Sequence, residues 1–523
     1  MRKVYQVCVS VLLVCFAIVA ANAQSFRVQC PLTTLMHPTP PSPASPNPVG
    51  GSIKCQQISG GDGYATMADG TQTYLFAFGP LSGLNDIAKG LPGTQPAAVF
   101  MTPYDPLAAA GSAASNGAVG LVPDPEANGA YTGHVDTREV MDVGVMNGNM
   151  PAPMMAIDED DEFFLTLSNV GMIMRPDLFE QHTVHFHGYP NASSFYDGVP
   201  DASVAINIGG SFTYYYLAPD AGTYFWHCHI TPPEHLQMGM VGQLYVRPRQ
   251  NRVTSGSLYA GLVAQQSDPR TSCPNSGPGT TGITTDILCS TPLPPSNSVT
   301  RTTNKSGNPT LYAYNDGDGS TAYDVEYPIQ IHGFDPNFHF VGMTFNPEGF
   351  ADMKDKYFLL NGRSYPDTVN SIGYQDSTLG PGNSDFVGQP RSSSAFYTQD
   401  ADGVQRPSQP LPTLINIPAG GRALLRISDL DVSEFQTLAS LGIPMQVIAI
   451  NARLLRDQAG NNLYYNTNSI TLGGGESIDV ILDATNTTLY PAGSVFYLYT
   501  PNLDHLSNDA ENFGGLMTEV HIN

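Results

Sequence analysis

Histidine and cysteine are concentrated in two short segments, and that concentration constrains the fold more than any other feature of the chain. Residues 182 to 187 read His182-Thr-Val-His185-Phe-His187. Residues 227 to 240 read His227-Cys228-His229, five residues, His235, four residues, Met240. Half of the 12 histidines fall in these two stretches. On an extended strand, side chains two apart share a face. His185 with His187, and His227 with His229, therefore each offer two imidazoles to one metal cluster. The fold must bring both segments together.

Neutral imidazole and thiolate are ligands that copper favours, and one Cys with two His and a distant axial Met is the trigonal blue-copper set. His182, Cys228, His235 and Met240 supply that set, one from an early strand and three from a loop near the last strands of the same sandwich. Met238 is the fallback axial ligand; Gly239 before Met240 allows the tight return. His185, His187, His227 and His229 have no place in that centre. They form a second copper set, with His227 and His229 straddling Cys228, so the peptide link is a short electron path between the two. A lone histidine is usually structural, but six histidines and a cysteine in this order are an improbable accident. Zinc also takes His and Cys, yet it would not call for extra histidine pairs around one cysteine.

Gly 52 and Pro 43, with many short alternating apolar runs, predict an all-β protein of turns and short strands. The length exceeds one sandwich of about 100 residues, so two sandwich domains with long loop insertions are expected. The chain opens Met-Arg-Lys, then an apolar run from Val9 to Ala20 and Ala21-Asn22-Ala23. This is the pattern of a secretory signal peptide over 1–23, cut after Ala23. Residues 24–60 read as a Pro-rich, extended and poorly ordered arm. The metal-binding domain covers 61–248, with strands at Gln72–Ala77, Phe163–Leu167, Ser211–Tyr216 and Gly222–Trp226, and a long surface loop around Ala108–Val119. Residues 249–323 read as a linker or insertion. A second domain covers 324–523, with strands at Tyr327–Ile331, Ala423–Ile427, Met445–Ile450, Ser477–Leu482 and Val495–Tyr499.

Export permits disulfides. Without Cys8 and Cys15, lost with the signal, five cysteines remain. An odd count suggests two bridges and one special thiol. Cys228 is the odd one; Cys30–Cys55 and Cys273–Cys289 are the expected local bridges, unless some of those four thiols are free. The net charge of −24 argues against nucleic acid and anionic membranes as partners. It speaks first to solubility, and it is compatible with drawing small cations to the surface.

At its ligand residues the sequence resembles the multicopper oxidases. In that family His-X-X-His-X-His-Gly gives one ligand each to coppers of types 1, 2 and 3, and His-Cys-His with the following His and Met gives two type 3 and three type 1 ligands. The resemblance implies type 1 copper at His182, Cys228, His235 and Met240, type 2 at His185, and type 3 at His187, His227 and His229. Cys228, His227 and His229 would carry the electron. The stretch Phe195-Tyr196-Asp197-Gly198-Val199-Pro200 is similar to the family's cupredoxin body. Tyr357–Arg363, Gly420–Arg426 and Leu472–Val480 resemble its copper-free cupredoxin domain. The implied fold is two cupredoxin-like Greek-key sandwiches. The implied activity is one-electron oxidation of an external donor, a phenol or a metal ion such as Mn(II) or Fe(II), with O₂ as acceptor.

Two departures matter. Ile230 to Glu234 is two residues longer than the family's usual spacing, which should reshape the edge of the type 1 site. The three-copper cluster also needs four His-X-His pairs, and this chain has two. At the equivalent second-domain positions stand Gln330-Ile331-His332 and Thr500-Pro501-Asn502, and His332, His339, His505 and His521 stand singly and read as structural. The missing half would come from a copy of the chain in a homo-oligomer such as a trimer, using His332 or His505, or from a partner chain carrying the pairs. The runner-up is a plan like the copper nitrite reductases, with one type 2 copper on His187 and His227 and a third ligand at His332 or His505. That family has an Asp where His185 stands and does not need His229. A third reading, an electron carrier with the blue centre alone, leaves four histidines unused.

Overall fold

The computed structural model describes residues 26–523 apart from short breaks at 41–47, 49, 68–70, 189–193, 219, 261, 295, 300–301, 344–348, 400–404, 408–410, 412, 458–459, 510 and 513. Two longer stretches, 263–293 and 370–396, also lie outside the described residues. The proposed signal peptide and the Cys273–Cys289 bridge fall outside them too.

The described residues form an all-β molecule of two cupredoxin-like Greek-key sandwiches. In the first, one sheet runs in the order Gln72–Pro80, Ile53–Thr66, Glu162–Gly171, Ser211–Leu217; the other runs Met155–Asp158, Val241–Arg247, Gly222–His227, His185–Phe186. Each sheet holds one parallel pair, Ile53–Thr66 with Glu162–Gly171 and Met155–Asp158 with Val241–Arg247, among antiparallel neighbours. Phe76, Phe78, Phe163, Leu165, Tyr214 and Trp226 fill the space between the sheets. Strand positions alternate between this core and the opposite face of each sheet, and Gly222–His227 is buried on both faces.

The second sandwich repeats the plan. Val325–Phe334 pairs parallel with Arg422–Asp429 and antiparallel with Tyr357–Leu360, in a sheet that also holds Ser477–Asp483 and Met445–Ile450. Facing it is a sheet of Ile415–Ile417, Met517–Ile522, Val495–Tyr499, Gln436–Leu441 and Ser469–Leu472. Every strand segment expected from the sequence lies within an observed strand. Among the described residues, the helices Thr137–Gly144 and Pro336–Met343 are eight residues each. No helix there is long and apolar enough to cross a membrane.

Three expectations need correction. The segment 24–60 is not a poorly ordered arm along its described length: strand Ile53–Thr66 begins inside it, and Phe26, Val28 and Cys30 are buried. Their apolar side chains pack a third core with Phe100, Val119 and Val140, stapled by the Cys30–Cys55 disulfide. Proline content misled there because the apolar residues flank the prolines. The Ala108–Val119 loop is exposed only at first; Ala118 and Val119 dive into that same core. The described ends of 249–323 are more than a linker: Tyr312 joins Val253, Leu258 and Val299, and Tyr314 hydrogen-bonds Asp479 at 2.5 Å.

The sandwiches meet along the Gly222–His227 and Val241–Arg247 strands. Thr223 Oγ1 donates to Asp479 at 2.5 Å, Ser477 Oγ to the Thr223 carbonyl at 2.7 Å, and Gln243 Nε2 to Ser428 Oγ at 2.9 Å. At one end Glu326 lies between two guanidiniums, Arg247 and Arg426, each at 2.8 Å. A buried carboxylate is tolerated there because both of its oxygens are paired.

Candidate metal centre

One strand pairing sorts the ligand residues. His185 lies opposite His227, and Phe186 opposite Trp226. With the two-residue period this turns Val184, Phe186, Trp226 and Cys228 into the core and the His185, His187, His227 and His229 rings to the other face. His182, held against Ile206 by a pair of backbone hydrogen bonds of 3.1 and 3.0 Å, falls on the core side with Cys228.

On that inner side His182, Cys228 and His235 bring their ligand atoms within 4.8 Å of one another, all three buried. His235 Nδ1 is 3.3 Å from Cys228 Sγ, and the Thr183 N–H donates to the sulfur at 3.4 Å. His235 sits on the helix Pro232–Gln237, which occupies the lengthened loop and starts with a proline at its first turn. Met238 and Met240 are buried in the same core, and the Cys228 N–H donates to the Met240 carbonyl at 3.1 Å. Gly60 is required beneath the site, because a Cβ there would meet the His182 ring at 2.8 Å.

The electrostatics suit a cation. Burial alone would raise the Cys228 thiol, but the His235 and His182 rings outweigh it and draw it well below its ordinary range. His235 moves the other way: burial would lower it, and Cys228 with Glu180 raises it. The pair thus favours a thiolate, the form that binds metal. Both ring nitrogens of buried His182 lack a hydrogen-bond partner, a cost that a metal bond at one of them would remove.

On the other face His185, His187 and His227 form a second group within 4.8 Å. His187 Nε2 lies 3.0 Å from His227 Nε2, and the His229 ring is 5.0 Å from that of His185 and 5.4 Å from that of His227. His227 Nδ1 donates to the Cys228 carbonyl at 2.7 Å, and His185 Nδ1 to the Asp197 carbonyl at 2.6 Å. Anchoring Nδ1 leaves Nε2 as the ligand atom in both rings, the usual outer-shell arrangement. Burial, then the neighbouring rings, lower His187 to about 4 and His227 to about 3. His187 and His227 are therefore neutral near pH 7 and ready to bind metal.

Four contributors were not singled out in the sequence. Glu180 Oε2 stands 3.5 Å from His235 Nε2. Asp197 fixes His185, Tyr214 accepts from the Val184 N–H at 3.0 Å, and Gly475 of the second sandwich lies so close that a Cβ would be 3.2 Å from His187 Nδ1. The Asp197-Gly198 pair and the position of Glu180 two residues before His182 were available signals; Tyr214 and Gly475 had none.

The single histidines are placed elsewhere. His332 is buried, its Nδ1 donating to the Leu430 carbonyl at 3.0 Å beside Phe334. His505 is held by Gln436 at 3.0 Å and Glu434 at 2.8 Å and stacks on Phe358 at 4.0 Å. His521 contacts Glu519 at 2.6 Å. None of them joins either metal group among the described residues.

Residues 130–251, which contain every candidate ligand, match the multicopper oxidase family model. That segment is a multicopper oxidase domain. Laccase abr2 of Aspergillus fumigatus is 33% identical over 117 residues, covering 22% of this chain and 18% of the laccase. Multicopper oxidase MCE of Talaromyces pinophilus is 34% identical over 112 residues, 21% of this chain and 17% of that protein. A copper-containing nitrite reductase of Rhizobium meliloti is 33% identical over 125 residues, 22% of this chain and 30% of the reductase. The matched segment thus spans less than a fifth of the two fungal oxidases and under a third of the reductase. Copper is the cofactor of the multicopper oxidase domain, in keeping with its donor atoms.

Proposed function

We propose that the chain is an exported copper-dependent oxidoreductase of the multicopper oxidase type. It would oxidise an external donor, a phenol or a metal ion, in one-electron steps, with O₂ as acceptor. The observation that carries this reading is the strand register: it sets one thiolate site on the inner face and a histidine cluster on the outer face of the same residues. In the proposed assignment His182, Cys228, His235 and Met240 hold type 1 copper, His185 type 2, and His187, His227 and His229 type 3. Copper bound there supplies the one-electron redox change.

The residues of the chain do the rest. Burial of His182, Cys228 and His235 excludes water from the thiolate. The peptide bonds from Cys228 to His227 and His229 give a covalent path between the two faces. Glu180 beside His235 Nε2 marks the edge where a donor would approach. Asp197 holds the proton on His185 Nδ1. The Cys30–Cys55 bridge supports export.

Because His332 is fully buried on the Leu430 carbonyl and His505 is paired at both ring nitrogens, we assign the missing half of a three-copper cluster to a partner chain bearing His-X-His pairs, in preference to a homotrimer built on those two residues. One observation favours the nitrite-reductase-like plan: His187 Nε2 and His227 Nε2, the two ligands it takes from this domain, lie 3.0 Å apart.

Copper per chain on copper-loaded protein, read with its visible spectrum and EPR, tests these. Two coppers with a type 2 signal favour the single-copper plan, and close to four with an EPR-silent pair mean a completed cluster. One copper with a blue band makes the chain a carrier or half of an oxidase. Absence of a blue band removes the type 1 assignment.

A further inference from the structure

We propose that His339, on the second sandwich, is a positioning residue for the thiolate copper site of the first. It ties down the stretch of chain between His235 and Met240. This rests on reading His182, Cys228, His235 and Met240 as one copper site.

His339 lies on the helix Pro336–Met343 and is buried. Its ring packs at a tilt against Phe334, with 4.3 Å between the ring centres. One ring nitrogen, Nδ1, faces the Tyr74 carbonyl; the other, Nε2, is 2.9 Å from the Gln237 carbonyl. Both partners belong to the first sandwich, and they flank the metal ligands. Tyr74 is on the strand whose Phe76 ring packs 6.0 Å from that of His235. Gln237 is midway between His235 and Met240, in the turn closed by the Met240 N–H to the His235 carbonyl at 2.8 Å.

The clamp has further points. Gln237 Nε2 donates to Asp355 Oδ1 at 2.8 Å, and its Oε1 accepts from the Asp335 N–H at 3.4 Å. The adjoining Phe338 inserts into the core that contains Cys228, Met238 and Met240. Gln237 is thus gripped at both its main chain and its side chain by the second sandwich. Burial lowers the His339 ring to about 4, so it is neutral and carries one N–H. That N–H is donated to one of the two carbonyls, and the other ring nitrogen lies against the second.

With copper bound, a held loop would keep His235 and Met240 in place beside the Cys228 thiolate; a freed one would let them shift toward the arrangement that Cu(II) prefers, favouring the oxidised state. The test uses the copper-loaded full chain with His339→Phe, which keeps the volume and removes the ring N–H, His339→Gln, which retains a donor, and Leu498→Val, in the separate core of the second sandwich, as a packing control. Expected for His339→Phe is a fall in reduction potential of about tenfold in the equilibrium with a one-electron mediator, about 59 mV. A weaker blue band and a wider copper hyperfine splitting in EPR accompany it. His339→Gln falls between, so the result stands even if the Phe variant does not fold. Leu498→Val loses thermal stability without that shift. A blue band that His339→Phe and His339→Gln leave unchanged, or an equal shift from Leu498→Val, overturns the positioning role. Absence of a blue band in the unsubstituted protein overturns the underlying metal reading instead.

Discussion

At the residue scale, Cys228 is the point where the two metal groups touch. Replacing it with serine removes the sulfur without disturbing the strand. Cys228→Ser is expected to abolish the blue band while the outer histidines still bind copper with a type 2 EPR signal. Loss of all copper would mean that the faces are not independent. Gly475 offers a second, separable lesion. It has φ +92, which L side chains adopt at a cost of about 1 kcal/mol or more, and its Cβ would press on His187. Gly475→Ala is expected to weaken copper binding on the outer face at least severalfold and to leave the blue band in place, as copper titration followed by EPR would show. The sorting of the candidate ligands into two groups was legible in the sequence because strand alternation is a local rule. Gly475, His339 and Gln237 were not, because each acts across a gap of a hundred residues or more that no local pattern records.

At the scale of elements, the helix Pro336–Met343 is worth separating from its surroundings. Asp335 Oδ1 accepts from the Asn337 and Phe338 N–H groups at 2.8 and 3.2 Å, and its Oδ2 from the Lys354 N–H at 2.8 Å. Loss of such a cap costs about 1 kcal/mol, and the Lys354 bond adds to it. Asp335→Ala should therefore lower the midpoint of chemical unfolding. The proline-rich start of the chain shows the reverse limit of sequence reading. Composition there suggested an arm, yet Phe26, Val28 and Cys30 are core residues. Alternating apolar residues ahead of the prolines decided the structure.

For the whole molecule, the sandwiches are joined through charge as well as packing. Glu326 is buried, which would raise its pKa. Arg247 and then Arg426 more than reverse that, holding it at about 2 against an ordinary 4.5. A carboxylate depressed in the folded state stabilises fully above its unfolded pKa, and the contribution is lost as pH falls from about 4.5 toward 2. That span corresponds to roughly 3 kcal/mol. Glu326→Gln should cost a similar amount at neutral pH, since breaking a buried pair costs about 3–5 kcal/mol. It should also flatten the acid limb of a stability–pH profile. An unchanged limb would place the acid sensitivity elsewhere. The two-sandwich plan was legible from turn residues and short apolar runs. This ion triad was not, since Arg247, Glu326 and Arg426 are unremarkable in isolation.

The sorting of ligands by strand parity carries a consequence for how such a chain can change. Between Trp226 and His229 the count of residues matters as much as their identity. One inserted residue would send the thiolate outward and a histidine into the dry interior, exchanging the contents of two sites in a single step. Re-spacing the segment would be as damaging as losing one of its side chains, and the length of a few residues is as much a part of the copper chemistry as the sulfur itself.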